Sequence, residues 1–79
     1  LYKVMHYFEI ISDIFDLDKD SINDDLYLQE IESWDSMNHM QLIACLEDEY
    51  KIIFTGDEIA DIKKIGDIKN LLIKKEINL

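Results

Sequence analysis

The sequence predicts an all-α fold, a four-helix bundle of three longer helices and one short one, with a long loop joining the first two. Three observations lead there. Apolar residues recur at helical spacing in separate stretches, no apolar-rich run that could form a strand is longer than Lys51-Ile52-Ile53-Phe54, and the chain contains no proline. Its 79 residues suffice for one domain, 1–79, with one core. A chain of this size buries only about 60% of the surface its unfolded form exposes, which leaves little room for an enclosed active site.

In the first helix Val4, Phe8, Ile11 and Phe15 form a stripe with Tyr7 and Ile14 beside it, while Glu9 and Asp13 fall opposite. From Asp16 to Asp35 the chain is polar and irregular. Leu17, Ile22, Leu26, Leu28 and Ile31 are the isolated apolar residues able to pin it down as a packed loop. From Ser36 to Tyr50, at about 100° per residue, His39, Leu42, Ile43, Leu46 and Tyr50 share one arc, the expected buried face of the second helix. Its far side carries Met37, Gln41, Ala44 and Asp48, flanked by Met40 and Glu47. Methionines and acids on one exposed stripe suit a docking surface.

Thr55-Gly56-Asp57-Glu58 has the form of a capping box opening a short third helix that ends near Ile62. Ile65, Ile68, Leu71 and Leu72 mark the core side of a fourth helix, with Lys74 and Lys75 in its last turn, where cations suit the helix dipole. The expected joint core is Phe8, Ile11, Phe15, Leu42, Leu46, Ile62, Ile68 and Leu72.

Eighteen acids against eight lysines, with no arginine, give a net charge of −10. That charge repels phosphate backbones, so nucleic acid is excluded as a partner and basic proteins are favoured. It is uneven: residues 1–61 hold sixteen acids and three lysines, residues 62–79 two acids and five lysines. No run approaches the ~20 apolar residues that span a bilayer, and Leu1 to His6 lack a signal-peptide pattern, so a cytoplasmic monomer without membrane insertion is expected. Cys45, the single cysteine, cannot form an internal disulfide and has no zinc-site spacing around it. It reads as a small apolar helix residue, and no metal site is expected.

The most informative segment is Trp34-Asp35-Ser36-Met37 at the head of a helix that runs into Leu46-Glu47-Asp48-Glu49-Tyr50. It resembles the acyl carrier protein family, whose modification motif is Asp-Ser-Leu at the start of a helix ending in an acidic cluster and an aromatic residue. Methionine here replaces leucine. The apolar first helix, long loop, acidic second helix, Thr-capped short helix and final apolar helix all follow in the family's order. The resemblance implies that Ser36 is the attachment point for phosphopantetheine, within the motif Asp35, Ser36 and Met37. It implies a holo-synthase-type phosphopantetheinyl transferase as partner, with Asp35 helping to hold that enzyme's magnesium. It also implies that the chain is a non-catalytic carrier.

The physical setting agrees, since unpaired amides at a helix start stabilise a phosphodiester anion. His39, three residues on, points toward the buried arc, so Ser36 has no base of its own and catalysis belongs to visiting enzymes. Met37, Met40, Ala44, Glu47 and Asp48 are the expected docking surface for acyl-activating ligase, ketosynthase or acyltransferase partners with basic surfaces. Asn38 and Gln41 stand where many fatty-acid-synthesis members are acidic, so a surface glycan or secondary metabolite pathway fits as well as fatty acid and lipid biosynthesis. Lys63 and Lys64 replace the family's usual Ser/Thr, and the fourth helix is expected to be poorly capped.

Two rival functions remain. An aminoacyl or peptidyl carrier, including the D-alanyl type, shares the fold and the modified serine, and some such carriers also read Asp-Ser-Met. Asp16-Leu17-Asp18-Lys19-Asp20-Ser21 imitates the start of an EF-hand calcium loop, but Ser21 replaces the glycine and Tyr27 the bidentate glutamate.

Overall fold

The computed structural model describes residues 6–77. Four α-helices follow in order, α1 (Tyr7–Phe15), α2 (Ser36–Tyr50), α3 (Gly56–Asp61) and α4 (Ile65–Lys74), and two single 3-10 turns, Lys19–Ser21 and Leu28–Glu30, lie between α1 and α2. The all-α class holds, and among the described residues extended pairing is limited to one isolated bridge between Tyr27 and Lys64. One apolar cluster joins all the long helices and the loop, with Ile11, Leu42, Leu46, Ile65, Ile68 and Leu72 wholly shielded from solvent.

α1 starts at His6, whose ring Nδ1 accepts the Phe8 amide at 3.1 Å, and stops at Asp16, which adopts a left-handed φ of 53°. Its buried face is rotated from the expected stripe. Tyr7, Ile10, Ile11 and Phe15 are buried, Phe8 packs only on the margin, and Val4 lies outside the described residues. The cause is Tyr7: its ring enters the core because its hydroxyl has a partner at the edge, donating to Asp24 Oδ1 at 3.1 Å. Burial first, and that hydrogen bond second, push the Tyr7 hydroxyl's pKa well above its ordinary value.

The loop from Asp16 to Asp35 is packed, as its apolar residues suggested, with Ile22, Leu28 and Ile31 buried. Backbone bonds stitch it to the start of α4: Leu28 N–H to Lys63 carbonyl at 2.9 Å, Ile65 N–H to Leu26 carbonyl at 3.0 Å, and Gly66 N–H to Asp24 carbonyl at 2.8 Å. Gly66 is required by that approach, because a Cβ there would sit 2.9 Å from the Asp24 carbonyl oxygen. The acids that imitate a calcium loop serve local turns: Asp16 ends α1, and Asp18 Oδ1 accepts the Asp20 amide at 3.1 Å.

The capping box opening α3 forms as read. Thr55 Oγ1 accepts the Glu58 amide at 3.1 Å and Glu58 Oε1 accepts the Thr55 amide at 2.9 Å. The poor cap expected for α4 is corrected. Asp67, three residues into the helix, reaches back and accepts the amides of Lys63 and Lys64 at 3.0 and 2.9 Å, so a carboxylate inside the first turn replaces the missing Ser/Thr. Burial pushes the Asp67 carboxyl up, but the two amides outweigh it and hold the group below the usual carboxylate range.

Candidate functional site

Asp35, extended at φ −153°, caps α2: its Oδ1 accepts the Asn38 amide at 2.7 Å and its carbonyl accepts the His39 amide at 2.9 Å. Ser36 is therefore the first helical residue and not the cap. Its side chain is exposed, and among the described residues its hydroxyl has no hydrogen-bond partner. The approach to it is braced. Asn38 Nδ2 donates to the Ser33 carbonyl at 3.0 Å, and Ser33 Oγ donates to the Phe15 carbonyl at 2.7 Å, linking the start of α2 to the end of α1. Sequence reasoning treated Asn38 only as a departure from the family; the structure makes it a strut.

His39, expected on the buried face, lies at its margin. The Trp34 indole N–H donates to His39 Nδ1 at 3.3 Å, and Nε2 faces the Ile59 carbonyl at 3.4 Å. With Nδ1 accepting, the hydrogen-bond network assigns the proton to Nε2, which donates to Ile59. Both ring nitrogens are thereby committed to tying α2 to α3, and neither serves Ser36 as a base. Leu42, Ile43, Leu46 and Tyr50 occupy the buried face as read.

Beside Ser36 opens a cleft of about 260 Å³. It is lined by Leu28 and Gln29 from the loop, by Trp34, Ser36, His39 and Met40 at the start of α2, and by Ile59, Ala60, Ile62 and Lys63 from α3 and the turn after it. Its walls come from segments far apart in sequence, and no single-segment signal marked it.

Along α2 from Ser36, Met37 is 80% exposed and Met40 52%, and Ala44 and Asp48 are also exposed. Glu47 stands apart from this stripe. It is half-buried, and its Oε2 accepts the Phe54 amide at 2.9 Å while its carbonyl takes the amides of Lys51 and Ile52. Its carboxylate organises the turn into α3. Among the described residues no group of three or more His, Cys, Asp or Glu could hold a metal ion, and no helix is long and apolar enough to cross a membrane.

An exposed serine hydroxyl at a helix start, with the Asn38 amide taken by Asp35 but the Ser36 and Met37 amides unbonded among the described residues and a cleft adjoining, has the room and the donors to hold a phosphate diester and the arm beyond it. Comparison with known proteins points the same way. A family model described as the phosphopantetheine attachment site matches residues 8–72. An acyl carrier protein of Lactobacillus acidophilus is 36% identical over 59 residues, covering 75% of this chain and 74% of that protein. A solved structure from Mycobacterium tuberculosis, described as an acyl carrier protein, matches with a TM-score of 0.80 at 28% identity, covering 87% of this chain and 92% of that one.

Proposed function

This chain belongs to the acyl carrier protein family, whose cofactor is phosphopantetheine, and we propose that Ser36 is the residue that receives the arm. The observation that supports this most directly is the position of Ser36: exposed, without a hydrogen-bond partner among the described residues, and placed by the Asp35 cap at the first residue of α2. In the transfer, Ser36 Oγ bonds to phosphorus as the pyrophosphate bridge of coenzyme A breaks and 3′-phosphoadenosine 5′-phosphate leaves. The hydroxyl proton goes to a base of the transferase, since His39 is committed elsewhere. First-turn amides of α2 then face the phosphate diester anion. When bound, the arm supplies a thiol that holds an acyl group as a thioester.

The chain on this reading is a cytoplasmic, non-catalytic carrier. Its partners are a phosphopantetheinyl transferase and acyl-handling enzymes with basic docking surfaces, which meet Met37, Met40, Ala44 and Asp48. Glu47 contributes there mainly by shaping the turn behind them. Tethering keeps the cargo at high effective concentration beside each docked enzyme, so brief, weak contacts suffice. The test is incubation with coenzyme A, magnesium and a broad-specificity transferase, read by intact mass. The wild type gains one arm and Ser36→Ala gains none; an equal gain in the variant moves the attachment site elsewhere.

A further inference from the structure

Two side-chain ties straddle Ser36. Asn38 Nδ2 donates back to the Ser33 carbonyl at 3.0 Å, and His39 Nδ1 accepts from the Trp34 indole N–H at 3.3 Å. Both enclose Asp35, Ser36 and Met37, and within them the Asp35 carboxylate takes the Asn38 amide at 2.7 Å. Each tie is fastened to a different helix: Ser33 Oγ donates to the Phe15 carbonyl at the end of α1 at 2.7 Å, and His39 Nε2 donates to the Ile59 carbonyl of α3 at 3.4 Å. The Trp34 and His39 rings also meet edge to face, 6.0 Å between centroids. Ser36 takes part in neither tie, so the turn that carries it is held while its hydroxyl stays available. Helix ends are where local opening costs least, and the two ties raise that cost at this end. The docking stripe runs along α2 as far as Asp48, about three turns on, so an enzyme that grips it need not fix the head of the helix. Transfer is more exacting, because Ser36 Oγ must lie in line with the phosphorus it attacks, and a displacement of about 1 Å at a reacting centre costs about 10²-fold.

We propose that Asn38 and His39 are positioning residues for the modification: by bracing the turn from α1 and α3 they hold Ser36 Oγ in its attacking place before a transferase docks, and so act on transfer and not on docking. The inference rests on Ser36 as the attachment point.

The experiment is single-turnover modification at saturating coenzyme A and magnesium with a broad-specificity transferase in increasing excess, read by intact mass. The plateau rate reports transfer in the docked complex, and the half-saturating transferase concentration reports docking. A wild type that takes no arm, or Ser36→Ala that takes one, overturns the Ser36 assignment and this inference with it; every later outcome bears on the brace alone. A net hydrogen bond shifts an equilibrium by roughly three- to tenfold, so the plateau rates of Asn38→Ala and His39→Leu should fall by about that factor while half-saturation moves less than about twofold. His39→Gln offers an amide oxygen to Trp34 and an amide N–H to Ile59, and should keep a plateau within about twofold of the wild type. Trp34 is the chain's single tryptophan, so solvent exchange of its indole N–H reads the tie directly: slow in the wild type and His39→Gln, fast in His39→Leu. Leu71→Ala weakens the packing of α4 without touching this turn, and should unfold at lower urea yet keep the wild-type plateau. Should His39→Leu fail to fold by circular dichroism, Asn38→Ala decides alone. Unchanged plateaus in the brace variants, a loss confined to half-saturation, a His39→Gln plateau as low as that of His39→Leu, or equal slowing by Leu71→Ala overturns the proposal.

Discussion

Glu47 and Asp48 are neighbours in one acidic run, yet only Glu47 is bonded to the turn while Asp48 lies exposed, and alanine at each position separates the two. Glu47 Oε2 accepts the amide of Phe54, a residue only 5% exposed, at 2.9 Å. A hydrogen bond to a charged acceptor contributes about 1.5–3 kcal/mol, and a donor left unmade near a buried side chain costs about 1–3 kcal/mol. Because Glu47 is only half-buried, water recovers part of that loss, and the expected cost of Glu47→Ala is about 1–2 kcal/mol. Glu47→Gln keeps an acceptor oxygen and should lose less. Asp48 is exposed, so Asp48→Ala should stay within about 0.5 kcal/mol of the wild type. Urea unfolding followed by far-UV circular dichroism, extrapolated linearly to water, measures each value. In the transferase assay the ranking inverts: Asp48→Lys should slow modification severalfold and weaken its salt dependence without loss of stability. Equal unfolding costs for the two alanine variants would refute the assignment of Glu47 to the turn.

Leu46 is fully buried in the centre of α2, so Leu46→Ala should cost about 2–5 kcal/mol by urea unfolding; a loss below about 0.5 kcal/mol would mean that α2 presents a different face to the core. The net charge of −10 makes the compact state repel itself, so raising salt from low ionic strength to about 0.15 M should raise the melting temperature, and a flat response would mean that local pairing already compensates the acids.

The helices were legible because periodicity and caps are local. Leu42, Ile43, Leu46 and Tyr50 on α2, and Ile65, Ile68 and Leu72 on α4, lie where a turn of about 100° per residue puts them. The Thr55 and Glu58 capping box was readable for the same reason. The motif Asp35-Ser36-Met37 was readable as a pattern, but not which of its residues caps α2; the Asp35 side chain takes that role and leaves Ser36 open. Pairings across the chain were not legible. The loop-to-α4 stitching left one trace, a glycine at the second residue of a helix, where Gly66 lets the Asp24 carbonyl approach. Glu47 left another. A carboxylate in the last turn of a helix opposes the dipole, and its reason lies seven residues on, at the Phe54 amide. The cleft left none.

The uneven charge along the chain follows from the division of labour between the helices. Both ion pairs among the described residues draw their lysine from α4 or the residue after it: Lys69 binds Asp24 in the loop, and Lys75 binds Glu58 at the start of α3. Lys75 also lies 5.4 Å from the centre of the Phe54 ring, so one side chain ties together α4, α3 and the turn that Glu47 shapes. A small domain with little core gains from such ties, but the same lysines placed on α2 would neutralise the acids that the proposed docking to basic partners uses. Lys69 and Lys75, both after residue 61, fasten the frame while Asp48 stays exposed beside the methionines.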